Sequence, residues 1–525
     1  MESKKHLLEL CDVSIGFPEK GKEKSIVTRG VSFYVEEGEA LGIVGESGSG
    51  KSVSMLAAVG LLGNGGRIVN GTIRFWRGEE VIKLNALGEK ELNEVRGDEI
   101  SMIFQEPMTS LNPVLPVGAQ VEEMLRLHSD CPKEERKSRV LSMFLEAGLT
   151  DVEALYEKYP HQLSGGMRQR VMIAMAMILR PKLLIADEPT TALDVTVQAK
   201  ILALLKKFQT EYKTTIILIS HDLGVIRNVC SRAVVMCEGE VVEQGEVETL
   251  FECPKEEYTK RLLAAALGKG SELKKEQNIT QGEAVVRVEN FSVFYEEKAA
   301  ALFRAKTKKE VVKQVSFELY AGEIVGIVGE SGCGKSTLAK ALAGLNSLVA
   351  GNFYIDCKQP QMVFQDPYGS LNPAKTIGWL LTEPLRLHHV GTKEQQRDAV
   401  YAMLEKVGLS REYYDRYPGT LSGGQRQRVA IAMAIMLKRS FILLDEPVSA
   451  LDVTVQEQIL VLLVKLQKEF GLTYLFISHD MNVIHRICDR VFVMYHGEIV
   501  ESGVTHRVFE KPEHPYTREL LGARV

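Results

Sequence analysis

The sequence predicts an α/β protein made of two similar modules in tandem, each a parallel sheet covered by helices. Three observations carry this. First, a long segment occurs twice: residues 163–202 return at 421–460 with 25 of the 40 aligned positions identical, which marks a duplication. Second, in both copies apolar runs of strand length alternate with helical patterns, as parallel sheets with covering helices require. Third, in both copies a glycine-rich loop joins such a run to a helical stretch at matching places.

Composition narrows the class. The 525 residues leave room for several domains, and 45% hydrophobic with 25% charged residues excludes an intrinsically disordered chain. Lys and Arg total 64 against 69 Asp and Glu, a net charge of −5, which lacks the basic excess of nucleic-acid binders. No run reaches the ~18 apolar residues of a membrane-spanning helix. The start, Met1-Glu2-Ser3-Lys4-Lys5, leads into a strand-like alternation with no signal-peptide core. The eight cysteines form no CxxC pair, so neither a disulfide framework nor a zinc or iron–sulfur site is expected, and a reducing compartment is.

The repeat also sets the boundaries. Its offset is 258 at Ser164/Ser422, Asp187/Asp445 and His221/His479, but 260 at Gln105/Gln365 and 284 at Gly45/Gly329. The second copy has therefore lost 284 − 260 = 24 residues, mostly opposite residues 72–100, and gained six near 299–309. Residues 268–283 are polar, glycine-bearing and free of aromatics, as a linker is. The expected organisation is module 1 at 1–267, a linker at 268–283, and module 2 at 284–525.

Taken in chain order, the first chemical element is the loop Gly45-Glu46-Ser47-Gly48-Ser49-Gly50-Lys51-Ser52, repeated as Gly329-Glu330-Ser331-Gly332-Cys333-Gly334-Lys335-Ser336. Both fit GxxxxGK[ST] after an apolar strand and before a helical run, the context in which that pattern means phosphate binding. Glycines let backbone N–H groups wrap phosphate oxygens, and the helix N-terminus adds favourable dipole charge. Lys51 and Lys335 would reach the β- and γ-phosphates, while Ser52 and Ser336 would coordinate Mg²⁺. Val53 and Thr337 follow in the first helical turn. Cys333 invites a redox reading at a helix N-terminus, but a small residue tolerated in the loop is the better account.

Next, Ser164-Gly165-Gly166-Met167 and Ser422-Gly423-Gly424-Gln425 open helical runs. Serine caps helices well, but two glycines following it weaken a helix start, so the loop reads as a second anion site without a lysine. Residues 183–186 and 441–444 are buried-strand runs that end in Asp187-Glu188 and Asp445-Glu446. The first acid emerges where Mg²⁺ would sit, and the second can polarise an attacking water. His221 and His479 each close a further strand run, 34 residues after those aspartates.

The Ser-Gly-Gly loops resemble the signature of ATP-binding cassette (ABC) ATPases. The resemblance covers nearly the whole chain and implies two P-loop NTPase nucleotide-binding domains. Each would have a RecA-like core, an antiparallel β-subdomain and a helical subdomain, with ATP and Mg²⁺ as ligands. By the same resemblance Phe17 and Tyr295 would stack on adenine. Gln105 and Gln365 would touch Mg²⁺ and the attacking water, and would sense a transmembrane partner. Asp194 and Asp452 would lie in the loop that crosses to the opposite site. His221 and His479 would contact the γ-phosphate, and Glu188 and Glu446 would hold the water. ABC modules are understood to pair head-to-tail, so Ser164, Gly165 and Gly166 would face the nucleotide of the other module, as would Ser422, Gly423, Gly424 and Gln425. Met167 departs from the usual glutamine.

Two further segments resemble the oligopeptide/dipeptide/nickel importer branch: Gln105 through Pro113 with its copy Gln365 through Pro373, and the Tyr-Thr tails at Tyr258-Thr259 and Tyr516-Thr517. The first half looks like the D-type ATPase of that group and the second like the F-type, fused as in glutathione and microcin C importers. The resemblance implies two transmembrane permease subunits, an extracytoplasmic solute-binding protein reached through the complex, one fused chain per transporter, no nucleic acid, and a peripheral place on the cytoplasmic face of the inner membrane. A ribosome-associated tandem ABC factor and a sugar-type fused importer are the alternatives. The short, mixed-charge linker speaks against the first, and two complete sites speak against the second. The transported solute is not legible.

Overall fold

The computed structural model describes residues 6–18, 25–105, 110–190, 195–266, 284–296, 308–356, 360–449 and 451–522, the side chains at 195, 196 and 266 apart. The chain forms two compact units, one from each copy of the repeat.

In the first unit the strands are β1 (His6–Phe17), β2 (Ser25–Glu36), β3 (Ala40–Val44), β4 (Arg67–Arg77), β5 (Glu80–Lys83), β6 (Ile100–Ile103), β7 (Leu183–Asp187), β8 (Thr215–Ile219), β9 (Arg232–Cys237) and β10 (Glu240–Glu246). They form two sheets, ordered β2-β1-β4-β5 and β10-β9-β3-β8-β7-β6. The first is antiparallel. The second is parallel except where β10 joins β9. Strands β3, β7 and β8 are buried along their whole length, because both faces are covered and every side chain must be apolar or small. Leu41 and Ile43 face a core shared with the antiparallel sheet and the helix Lys51–Ala58. Ala40 and Val44 face a second core built with the helices Val117–His128, Lys133–Glu146 and Gly165–Met177. The period-2 alternation of one short strand thus joins two subdomains.

The second unit repeats the plan with β11 (Ala284–Glu296), β12 (Lys308–Tyr320), β13 (Ile324–Val328), β14 (Val349–Ile355), β15 (Gln361–Val363), β16 (Phe441–Asp445), β17 (Thr473–Ile477), β18 (Arg490–Tyr495) and β19 (Glu498–Val504). Its main sheet runs β15-β16-β17-β13-β18-β19, and its antiparallel sheet is only β12-β11-β14. The 24-residue shortening lies here. Among the described residues, nothing in this unit corresponds to β5 or to the helix Glu89–Val95. The consequence is local. Ile73 pairs with Leu10 and is fully buried, whereas Phe353, at the same register opposite Val288, is 41% exposed.

Parallel pairing decides where chemistry can gather. In each unit four neighbouring strands (β3, β8, β7 and β6, or β13, β17, β16 and β15) end at one sheet edge. Ligands of open α/β sheets bind outside such carboxyl ends. The residues that follow those ends are Gly45, Ser220-His221, Asp187-Glu188 and Gln105 in the first unit, with Gly329, Ser478-His479, Asp445-Glu446 and Gln365 in the second.

Candidate nucleotide sites

The glycine loops adopt conformations that few other residues reach. Gly45 and Gly329 have φ of 149° and 153°, and a Cβ on either would lie 2.1 Å from a backbone carbonyl, of Met236 or Met494. Gly50 and Gly334 are left-handed at φ 93° and 110° and lead into the helices Lys51–Ala58 and Lys335–Leu342. At Gly48 and Gly332, by contrast, a Cβ would meet nothing within 4 Å, so that side of each loop is open. Both lysines curl back over their own loop. Lys51 Nζ donates to Gly45 O at 2.8 Å and Glu46 O at 2.7 Å; Lys335 Nζ donates to Gly329 O and Glu330 O, each at 2.7 Å. Cys333 is buried beside Lys335, and burial pushes its thiol above the usual range, which supports the packing account over the redox one.

The serine of each loop meets the aspartate at the end of the neighbouring strand. Ser52 Oγ donates to Asp187 Oδ1 and Ser336 Oγ to Asp445 Oδ1, both at 2.8 Å. Burial pushes the Asp187 carboxyl up to about 6; the Ser52 hydroxyl works against this and the Glu188 charge adds to it. Asp445 is raised for the same leading reason. One residue on, Glu188 and Glu446 turn left-handed at φ 46° and 47°, while their N–H groups still bond the adjacent strand at Ile219 O and Ile477 O. This kink, strained for a residue with a side chain, turns the chain where each glutamate meets two further residues.

Those residues are the predicted glutamine and histidine. Gln105 Nε2 donates to Glu188 Oε2 at 2.9 Å, and Gln365 Nε2 to Glu446 Oε2 at 2.9 Å. His221 Nδ1 lies 3.4 Å from Glu188 Oε2, and His479 Nδ1 3.2 Å from Glu446 Oε2. Burial alone would lower both imidazoles, but the glutamate hydrogen bonds and charges outweigh it and hold them above the usual range. Burial would likewise raise Glu446; the His479 bond and charge, with Lys335, bring it below the ordinary value. Each unit therefore gathers lysine, serine, aspartate, glutamate, glutamine and histidine at one sheet edge.

The remaining predicted residues take these positions. Ser164 and Ser422 cap the helices Gly165–Met177 and Gly423–Ile435, accepting from the N–H of residues 167 and 425. Gln425 completes a capping box by accepting from Ser422 N–H, and its amide reaches Tyr413; Met167, partly buried, instead packs against the core. Val53 packs against the core of the antiparallel sheet, as does Phe17, whose ring covers Gly66. Tyr295, at the matching end of β11, is 44% exposed. Thr337 is part-buried in the first turn of its helix. Asp452 caps the helix Val453–Phe470. Asp194 lies outside the described residues, as do the linker 268–283, the insertion near 299–307 and positions 106–109.

One contact was not foreseen. Tyr258 and Tyr516, read only as tail markers, place their hydroxyls against the phosphate loops: Glu46 N–H donates to Tyr258 Oη at 3.2 Å, and Glu330 N–H to Tyr516 Oη at 2.8 Å. The available signal was the recurrence of Tyr-Thr at the repeat offset of 258.

These residues fit a Mg²⁺–nucleotide. Serine hydroxyl and carboxylate are hard oxygen donors of the kind Mg²⁺ takes together with phosphate oxygens. Each buried aspartate is held above its usual range beside a second carboxylate even with the lysine charge nearby, and a divalent cation would supply the further positive charge that favours its ionised form. Bound there, the ion would neutralise charge on the transferred phosphoryl group.

The fold and these two constellations define a tandem P-loop ATPase, and comparison with known proteins places it further. Residues 28–191 and 312–449 match the ABC transporter family, and residues 500–524 match the oligopeptide/dipeptide transporter C-terminal region. The chain is 44% identical to the glutathione import ATP-binding protein GsiA of Escherichia coli K12, over 99% of this chain and 89% of that protein. It is 43% identical to GsiA of Salmonella typhimurium, over 98% and 89%. Among solved structures, the archaeal ribosome recycling factor aABCE1, in complex with the stalk protein aP1, superimposes with a TM-score of 0.61 at 22% identity, covering 92% of this chain and 88% of that one; this likeness shows the fold alone. The chain belongs to the ABC transporter ATP-binding proteins, on the oligopeptide/dipeptide importer branch. It is an ATPase that works with ATP and Mg²⁺, has membrane permeases as partners and sits peripherally at the membrane. No helix among the described residues is long and apolar enough to cross a membrane.

Proposed function

We propose that the chain energises import of a small peptide or peptide-like solute, of which glutathione is the leading case, and that both modules hydrolyse ATP. The observation that carries the two-site reading is the matched geometry: the serine–aspartate bond is 2.8 Å in each unit and the glutamine–glutamate bond 2.9 Å in each. Lys51 and Lys335 leave their loop carbonyls to bind phosphate oxygens. Ser52 and Ser336, with Asp187 and Asp445 and the glutamines Gln105 and Gln365, hold the metal. Glu188 and Glu446 orient the attacking water, His221 and His479 meet the γ-phosphate, and the Ser-Gly-Gly loops supply the second anion-binding element.

The finer assignments follow the same reading: modules at 1–267 and 284–525, one fused chain per transporter, an extracytoplasmic solute-binding protein as a distant partner, and the cytoplasmic face of the inner membrane as location. Support for permease docking comes from apolar side chains left on the surface after each glutamine, Val114 (74% exposed) and Leu115 in one unit and Tyr368 in the other. Gln120 ties down the first of these segments by accepting from Asn112 N–H and donating to Asn112 O and Leu115 O. Affinity purification of the full chain from detergent-solubilised membranes tests the reading. Two permeases should co-purify, and reconstitution with them should give ATP-dependent uptake of glutathione or a dipeptide. Recovery of ribosomes in place of permeases would contradict it.

A further inference from the structure

The tail segment of each module ends in a helix, Glu257–Ala266 and Pro515–Gly522, remote in sequence from the phosphate loop it touches. We propose that Tyr258 and Tyr516 are positioning residues for nucleotide binding, so that the tail helix is a working part of each ATP site. This rests on the reading of residues 45–52 and 329–336 as the phosphate loops.

The contact occurs in both units at the same atoms, a backbone N–H of the loop donating to the tyrosine hydroxyl. The residue it holds is gripped on its other side by the lysine, whose Nζ takes the carbonyls of Glu46 and Glu330 at 2.7 Å. In the proposed bound state that lysine turns to phosphate and its hold on the carbonyl weakens. The tyrosine bond does not depend on the lysine, and it keeps the start of the loop in place while the following amides face the phosphates.

The tail is anchored well enough to serve as a reference point. Glu243 accepts the N–H groups of Lys255 and Glu256 at 2.9 and 3.2 Å, and Glu501 those of Glu513 and His514, each at 2.9 Å. Leu262 and Leu520 are buried, with Leu262 lining a small apolar cavity with Val44, Ile226 and Val235. Burial raises both tyrosine hydroxyls, so they stay neutral. The surroundings of the two rings differ: the Cys237 thiol is among the groups that act on Tyr258, whereas Tyr516 packs on Tyr495 with ring centroids 4.2 Å apart. The hydroxyl contact is thus kept while its surroundings vary.

The test uses the full chain, Mg²⁺–ADP binding by calorimetry, and steady-state ATP hydrolysis. The double variant Tyr258→Phe with Tyr516→Phe keeps the rings and removes only the acceptor oxygens. It should bind Mg²⁺–ADP roughly three- to tenfold more weakly, the loss expected for one hydrogen bond. KM for ATP should rise by a similar factor while kcat stays within about twofold, since the bond is the same before and during reaction. The control Leu125→Ala with Leu385→Ala, at residues buried in the helices Val117–His128 and Ile377–Leu387 away from the tail segments in sequence, should lower the melting temperature and leave nucleotide affinity unchanged. Parental affinity in the phenylalanine variant, or equal weakening in the alanine control, overturns the proposal. A separate variant, Lys51→Ala with Lys335→Ala, that still bound Mg²⁺–ADP like the parent would overturn the phosphate-loop reading itself, and the proposal with it.

Discussion

At the scale of single residues, the two signature helices differ in a way that stability measurements can read. Ser422 and Gln425 exchange bonds at the helix start, and the glutamine amide also reaches Tyr413. In the other unit Met167 gives up that exchange for contact with the core. Gln425→Met should therefore destabilise the second unit by about 1 kcal/mol, the usual worth of a helix cap, read as a shift in its unfolding transition. Most of the residues that the fold gathers at the two sheet edges were legible because the chemistry proposed for them forces both type and spacing: a phosphate loop needs its glycines and its lysine. Other features were hidden. The left-handed turn at Glu188 and Glu446 has no pattern of its own, since it follows from the strand end and not from the residue type. The hydroxyl of Tyr258 meets a backbone N–H from a residue 212 positions earlier, and a backbone group carries no identity that a sequence could display.

Elements are held in place by buried charges as well as by apolar contact. Arg232 Nη1 lies 3.2 Å from Glu39 Oε1, and Arg490 Nη1 is the same distance from Glu323 Oε1; the two glutamate side chains are 3% and 2% exposed. Arg232→Ala or Arg490→Ala leaves a buried carboxylate unpaired and should cost about 3–5 kcal/mol in denaturant unfolding of the unit concerned. The tail helices respond to pH through Glu243 and Glu501. Burial would raise both carboxyls, but the backbone N–H groups of Lys255 and Glu256, or of Glu513 and His514, bond them and hold them below the ordinary value of 4.5. A carboxyl lowered by folding contributes stability above its unfolded pKa and loses it as pH falls through the folded one. The protection of amides 257–266 and 515–522 against hydrogen exchange, taken relative to the intrinsic rate at each pH, should therefore fall as pH drops below 4.5, and Glu243→Gln should blunt that change in the first unit alone. The strand order and the joining of two cores through β3 depend on contacts between distant segments and were not read from the sequence, whereas the parallel sheets were foreshadowed by apolar runs. The exposure of β14 was not, because a deletion shows what is missing and says nothing of what its neighbours then meet.

At the scale of the whole molecule, duplication followed by unequal trimming produced two units with the same geometry at the candidate site and different surroundings. The antiparallel sheet is shorter in one, and the helix cap and the tail neighbours differ. None of these changes reaches the bonds among Ser52, Asp187, Glu188, Gln105 and His221 or among Ser336, Asp445, Glu446, Gln365 and His479. That equivalence is the central claim, and steady-state ATP turnover by the single variants Glu188→Gln and Glu446→Gln tests it most directly. Removing a positioned base costs about 10²–10⁴-fold at its own site, so each variant alone should lose half or more of the parental turnover. If either one turned over ATP at the parental rate while the other abolished it, the chain would have one working site and the account would be wrong.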